Sequence, residues 1–534
     1  MAPTFCNRCG DAVVEGNDLR DELAELDALL ERLTLKRLNL KRKINRFYSP
    51  IVRLLPPDVM STIFEFCLQD FTDHELLPSD RFLPTWISPF MQLSPSEKIF
   101  TPPLSLGAIC SYWRDIAWAT PTLWSSLVVR DPGRHAPHIV TGIAQEWLAR
   151  SGQLPLSIRI SSTFHNESVS ALFDIINQYS NRWSDLDFNI PDHCYELFHA
   201  TDNHAPILRS IRFHSHEDIH MGAFASNLEI QLTCPRLERA SFFDFPMDGT
   251  NIQWDNLTHL TLLSMSIYDS FLILRKTPRL VFCEFSGFYL NHSLEEHDIG
   301  APVLTPLRSL QLLTNKDSDA EDVLNNLIAP HLEELSLPRY FTPSIGVITS
   351  FLRRSACSLR SLSMVFLDYS EGYMNLLRSL PLLNTLSIRS IQILANTSPD
   401  DYDPRNVFRL VAEIFSSQST SLQQGFLPNL KILEYTGKLY YLRSGNYEDL
   451  YPLPPVNNAI HGPLQLLKLD LHYLTTRVPK KMMSYISSLG ERGITVNVLS
   501  DSKDILQSSI DYYKRKEDFL SQDWTENFDS TLFP

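Results

Sequence analysis

A chain of 534 residues has room for several ordinary domains or for one long repeat array, and 43% hydrophobic with 20% charged residues excludes global disorder. The formal charge of −15, from 47 Lys plus Arg against 62 Asp plus Glu, argues against a nucleic-acid scaffold held by phosphate contacts. No basic stretch followed by an apolar one opens the sequence, and apolar runs are too short to span a bilayer, so neither a membrane nor a nucleic-acid partner is expected.

The eight cysteines are scattered, several of them inside apolar stripes, and read as reduced thiols of an intracellular protein, cytoplasmic or nuclear. Residues 1–17 have little apolar periodicity and form a flexible leader. Within it, Cys6 and Cys9 make half a zinc knuckle. A tetrahedral site needs four ligands, which two paired chains would supply and one does not; the simpler reading is free thiols, and no metal or other cofactor is assigned.

Over 18–47 apolar residues fall at Leu19, Leu23, Leu26, Leu30, Leu33, Leu40 and Ile44, in alternating steps of four and three with Arg37 as the one interruption. This is a coiled-coil seam. Two readings stay open for it: self-association through 19–44, or one amphipathic helix folded back on its own chain. The basic cluster at 36–43 is read as a solvated helix face.

Residues 48–127 are expected to form a helical module. A helix should begin at about Pro56 or Pro57, since proline is tolerated in a first helical turn and Asp58 suits the helix dipole there; Val59, Ile63 and Phe66 or Cys67 then share a face. Residues 70–103, rich in Pro, Ser and Asp, read as an irregular insertion. Leu104 to Ala117 again shows a helical face, and a third short helix is expected at Thr120–Trp124, with Thr120 as its cap and Pro121 in its first turn.

From 128 to 500 the pattern L-x-x-L-x-L recurs, apolar substitutes being allowed at its three marked positions. It occurs eleven times: Trp183/Leu186/Phe188, Leu208/Ile211/Phe213, Leu237/Ala240/Phe242, Leu257/Leu260/Leu262, Leu280/Cys283/Phe285, Leu307/Leu310/Leu312, Leu332/Leu335/Leu337, Leu359/Leu362/Met364, Leu383/Leu386/Ile388, Leu430/Leu433/Tyr435 and Leu464/Leu467/Leu469. Most spacings lie in or near the 20–29 residues of leucine-rich repeats. The last two marked residues, two apart, face the same side of a short strand, and the first marks the turn entering it. One unit alone cannot bury its apolar edge; stacked neighbours can. The expected fold is therefore α/β, an irregular leucine-rich-repeat solenoid preceded by an all-α module and an N-terminal coiled-coil helix. Leu127–Val129 and Leu156–Ile160 read as degenerate starting strands around a helix at 136–150. Helices are expected at Ala320–Ile328 and Val407–Phe415, and the long gap between Leu383 and Leu430 hides either a missed unit or an acidic excursion. The array closes with a helix at Lys480–Leu489 and a strand at Ile494–Leu499, and 501–534 is a cap or a loose tail.

His216-Glu217-Asp218-Ile219-His220 formally matches H-E-x-x-H, which on a helix presents two imidazoles to zinc with the Glu as base. It directly follows a repeat strand, carries a charge at Asp218 and lacks a convincing third ligand, so a polar connecting loop is the preferred reading. A zinc hydrolase using His216 and His220 is kept as the rival from another class. No nucleophile elbow, phosphate-binding loop or dinucleotide fingerprint occurs, and an enzyme is not expected.

Leu55-Pro56, Ile63-Phe64, Leu68, then Ile109-Cys110, Trp113-Arg114 and Leu123-Trp124 appear in the order of the F-box pattern. The region resembles an F-box, with Tyr112 where an Arg is usual and an insertion of about thirty-five residues between its halves. The whole chain is similar to the F-box-like proteins abundant in fungi, with a leading coiled coil and trailing leucine-rich repeats. That resemblance implies a non-catalytic substrate-recognition subunit of an SCF-type (Skp-cullin-F-box) ubiquitin ligase. The F-box would dock on a Skp-type adaptor, which bridges to the cullin, and the repeats would hold an unknown protein substrate. The docking residues it implies are Leu55, Pro56, Val59, Ile63, Phe64, Ile109 and Trp113. An interaction scaffold without a ligase role is the alternative.

Overall fold

The computed structural model describes residues 16–48, 54–73, 103–163, 165–216, 229–245, 247, 250–288, 302–314, 317–337, 343–365, 371–390, 426–438, 464–472, 478, 480–491, 493–500 and 503–521. Two compact units divide between Asp185 and Leu186, inside the strand Trp183–Pro191. Among the described residues no helix is long and apolar enough to cross a membrane.

The first unit begins with α1 (Gly16–Tyr48), followed by α2 (Pro57–Asp73), α3 (Pro103–Ile109) and α4 (Ser111–Ala119). Proline opens α2 and Asp58 sits in its first turn, as the dipole favours. The helical face read over Leu104–Ala117 is two helices, not one. Cys110 between them is extended and caps α4, its Sγ accepting from the Trp113 amide at 3.5 Å. Arg114 Nε donates to the Gly107 carbonyl at 2.8 Å, satisfying an acceptor that the helix end leaves open. Gly107 is required by this corner, because a Cβ there would run into the Trp118 ring.

A 3-10 turn at Pro121–Trp124 follows, with Pro121 where expected, but Thr120 does not cap it. Its hydroxyl turns back to donate to the Ile116 carbonyl at 2.8 Å. Strands β1 (Ser126–Arg130) and β2 (Leu156–Ser161) then pair in parallel, and α5 (Pro137–Arg150) connects them. Val140, Ala144, Trp147 and Leu148 bury one face of α5. α6 (Glu167–Ile176) packs on α5 and is capped by Asn166, whose Oδ1 accepts from the amides of Ser168 and Val169 at 3.0 and 3.2 Å.

The second unit is mixed α/β with a large, mostly parallel sheet. After β3 (Trp183–Pro191) come β4 (Ser210–His216), β5 (Ile230–Leu232), β6 (Arg239–Phe243), β7 (Thr250–Ile252), β8 (His259–Met265) and α7 (Ile267–Arg275). The chain continues through β9 (Phe282–Phe288), β10 (Ser309–Leu312), α8 (Asp317–Asn325), β11 (Glu334–Ser336), α9 (Ile345–Ser355), β12 (Ser361–Val365), α10 (Glu371–Arg378) and β13 (Thr385–Ser390). It ends with β14 (Ile432–Lys438), β15 (Leu466–His472), α11 (Lys480–Glu491), β16 (Thr495–Ser500), β17 (Lys503–Asp504) and α12 (Leu506–Ser521).

From β4 to β16 the strands of the main sheet are parallel and follow sequence order, with β5 and β7 set aside as a separate parallel pair. From the second unit onward the middle residue of each repeat falls in one register: Ile211, Ala240, Leu260, Cys283, Leu310, Leu335, Leu362, Leu386, Leu433 and Leu467, continued by Val496. Every marked residue of the eleven units is buried. The first Leu of the unit closes a turn, its amide donating three residues back, as in Leu237 to Cys234, Leu257 to Trp254, Leu307 to Leu304 and Leu430 to Leu427. The next two amides then share one carbonyl of the preceding unit: those of Arg308 and Ser309 reach Val281, those of Glu333 and Glu334 reach Arg308, and those of Arg360 and Ser361 reach Glu333. This recurrent joint spaces the strands and satisfies the backbone where each one starts.

Strands β13 and β14 pair directly, so the long gap before Leu430 inserts no rib between them; residues 391–425, with the helix expected at Val407–Phe415, lie outside the described residues. The helix expected at Ala320–Ile328 is α8, shifted three residues earlier. Part of 501–534 is an ordered end: β17 pairs antiparallel with β16, and α12 follows. The Ser509 hydroxyl accepts from the Val478 amide at 2.9 Å, and the Tyr513 hydroxyl donates to the Val478 carbonyl at 3.1 Å.

Candidate functional site

The helical module keeps one set of apolar side chains inside and another out. Met60, Phe64, Ile116, Leu123 and Trp124 are buried. Phe64 lies 5.0 Å from Trp113 between ring centroids, and Trp124 Nε1 donates to the Ala117 carbonyl at 2.7 Å. Two hydroxyl contacts pin α2 to the 3-10 turn, Ser61 with Thr120 at 2.9 Å and Thr122 with Glu65. Beyond them, Trp124 meets Trp118 and Trp147 edge-on at 5.2 and 5.0 Å, and the Arg150 guanidinium lies over the rings of Trp118 and Trp124. Such ring and cation contacts add to what area burial contributes.

On the outside, Val59, Ile63 and Phe66 recur at steps of four and three along α2, exposed by 40, 40 and 64%. Ile109, at the end of α3, is also exposed, and Pro56 with it. Tyr112, the residue that departs from the F-box pattern, ties the start of α4 to the entry of α2: its hydroxyl donates to the Leu55 carbonyl at 3.2 Å. Leu55 and Trp113 are half-buried. Of the seven residues singled out from sequence, Phe64 is not a surface residue. It is fully buried against Trp113, so its side chain builds the core of the module. Leu54 and Phe66 are exposed apolar neighbours that were not among the seven; the helical step linking Val59, Ile63 and Phe66 was the legible signal for the second.

A second candidate surface lies on the main sheet. Between the two buried positions of each strand stands a residue facing the other way, and these too align in register: Arg212, Ser241, Thr261, Glu284, Gln311, Ser336, Ser363, Ser387, Glu434 and Lys468. All ten are half-buried and all are polar or charged. Arg212 pairs with Asp187 at 2.8 Å, and Lys468 lies 3.7 Å from Glu434. Burial raises the Glu284 carboxyl above its ordinary range. Beside Arg212, burial lowers His214 to about 4 against a partly compensating pull from Asp187, and its ring stacks on Phe243 at 5.6 Å. The Tyr195 hydroxyl, fully buried, donates to the carbonyls of Phe188 and His214, both at 3.0 Å.

His216 is the last residue of β4, a strand, whereas a zinc-binding H-E-x-x-H requires a helix; Glu217 to His220 lie outside the described residues, as do Cys6 and Cys9. Among the described residues no group of three or more His, Cys, Asp or Glu side chains is placed to hold a metal ion.

No protein-family model matches the chain, and no curated protein matches its sequence.

Proposed function

We propose that the chain is a non-catalytic substrate receptor. The helical module docks on a Skp-type adaptor of a cullin ubiquitin ligase, and the strand array captures a target protein. The observation that carries this reading is the exposed apolar row Val59, Ile63 and Phe66 on α2, with Ile109 exposed at the end of α3, on a module whose described core holds Phe64 against Trp113. Large apolar groups left outside a closed core are what an interface leaves before its partner arrives. Their place within an F-box-like motif favours a Skp-type adaptor as that partner. The target meets the row of in-register polar residues from Arg212 to Lys468, which alternate with the buried column along the strands. The ligase role then follows from proximity alone, a bound target's lysines being held near ubiquitin carried elsewhere in the assembly.

The test is co-purification of the full chain with a Skp-type adaptor. Ile63→Asp and Phe66→Asp should each abolish capture while leaving the far-ultraviolet circular dichroism unchanged. If the unaltered chain does not bind the adaptor, the ligase role falls and an interaction scaffold remains. Gln311→Arg tests the other surface, since it should release target proteins without loosening the adaptor.

A further inference from the structure

The helix α1 is 33 residues long, about 50 Å at 1.5 Å per residue, and nothing among the described residues covers it. Every residue from Arg20 to Ile44 is exposed. Leu23, Leu26, Leu30, Leu33, Leu40 and Ile44 along the seam are each more than half exposed to water, at 52–61%. An apolar stripe of that length in water calls for a partner.

The charges on the helix say which partner. Its first half carries Asp18, Asp21, Glu22, Glu25, Asp27 and Glu31 with one cation, Arg20. Its second half carries Arg32, Lys36, Arg37, Lys41, Arg42, Lys43 and Arg46 and no acid. A second copy laid antiparallel sets acid on base at both ends. We infer that α1 pairs with α1 of a second copy of this chain as an antiparallel coiled coil.

The seam supplies its register. With Leu30 on the partner's Leu33, the layers run Leu26 on the partner's Arg37, Leu23 on the partner's Leu40, and Leu19 on the partner's Ile44, then repeat by symmetry. Arg37, the one polar seam residue, then lies its stem along a leucine and sends its guanidinium toward the acidic half. A parallel pair would instead set Arg37 against the partner's Arg37 inside the seam. The flanks agree. Antiparallel pairing puts Glu22 opposite the partner's Lys43, with Arg20 opposite the partner's Lys41 as its like-charged contact; parallel pairing puts Glu22 against the partner's Asp27 and Lys36 against the partner's Lys41. The inference does not depend on adaptor docking.

Sedimentation equilibrium of the full chain is the test. The expected mass is twice the chain's 61.3 kDa, with Leu30→Asp/Leu33→Asp returning it to the monomer. Because each flank contact occurs twice, Lys43→Glu should weaken association roughly tenfold, and Glu22→Lys added to it should restore binding. A chain that stays monomeric at tens of micromolar overturns the inference. So does a dimer indifferent to Lys43→Glu, or one tightened by Lys36→Glu, which is the response of a parallel pair.

Discussion

Phe64 and Trp113 face each other at 5.0 Å between ring centroids, forty-nine residues apart in sequence, and this contact separates the core of the helical module from its surface. Ile63, the residue before Phe64, is on the outside at 40% exposure, whereas Phe64 is fully buried. The two substitutions should therefore fail differently. Phe64→Ala should cost about 3–5 kcal/mol by emptying the core, read in urea melts. Ile63→Ser should change stability by less than about 1 kcal/mol and, on the proposed docking, lose capture by a Skp-type adaptor. Equal losses of stability in both variants would contradict this division.

Gly107 meets Trp118 at the corner between α3 and α4. Gly107→Ala forces the indole to move, and it should destabilise the chain by about 1–3 kcal/mol, as overpacking does. A paired Trp118→Leu change, which vacates the ring's space, should recover part of that loss.

Within the array, neighbouring residues of one strand should respond oppositely to truncation. Leu362 is fully buried in the aligned column and pairs in register with Leu335 and Leu386. Leu362→Ala should cost about 2–5 kcal/mol. Ser363 faces the other side, and Ser363→Ala should stay within about 0.5 kcal/mol. Thermal unfolding of the two variants side by side checks the alternation.

His214 gives the array an acid sensitivity. Its pKa in the folded chain is lowered to about 4 from an ordinary 6.5, first by burial. Between those values the unfolded chain binds the proton and the folded chain does not, so stability falls as pH drops from about 6.5 to about 4 and levels off below. The full window is worth up to about 3 kcal/mol. Denaturant midpoints at pH 7 and pH 4.5 should converge in His214→Gln relative to the unaltered chain. A variant with the same pH slope would assign the effect elsewhere.

Thiol reactivity should follow burial. Cys234 is buried and its thiol pushed up to about 12, Cys283 is fully buried and raised further, and Cys67 is exposed. Iodoacetamide at pH 8 should label Cys67 within minutes and leave Cys234 and Cys283 unmodified until the chain is unfolded, as peptide mass spectrometry would report.

The strand at each repeat was legible because its signal is local. Leu310 and Leu312 lie two apart, so they share a face wherever the strand is placed, and the leucine three before them marks the turn. β5 and β7 were not legible: Ile230–Leu232 and Thr250–Ile252 are three residues each and, unlike the equally short β11, carry no L-x-x-L-x-L signature. The break at Cys110 escaped for a related reason. The apolar spacing of Leu106, Ile109, Trp113 and Ile116 suits one helix, and only the packing of Trp118 on Gly107 and the reach of Arg114 to the Gly107 carbonyl show the turn between two. Thr120 has the side chain of a cap by sequence, and the fold turns its hydroxyl to the Ile116 carbonyl instead.

By itself the sequence determined which residues are apolar, at what period, and so where the repeat strands and most helices form, since those choices rest on neighbours within a few positions of the chain. Tertiary structure alone decided that Phe64 turns inward and Ile63 outward, that Tyr112 reaches the Leu55 carbonyl, and that ten separated polar residues align into one row. Adjacent positions on a helix differ by about 100° in direction, and no local pattern says from which side the next element arrives.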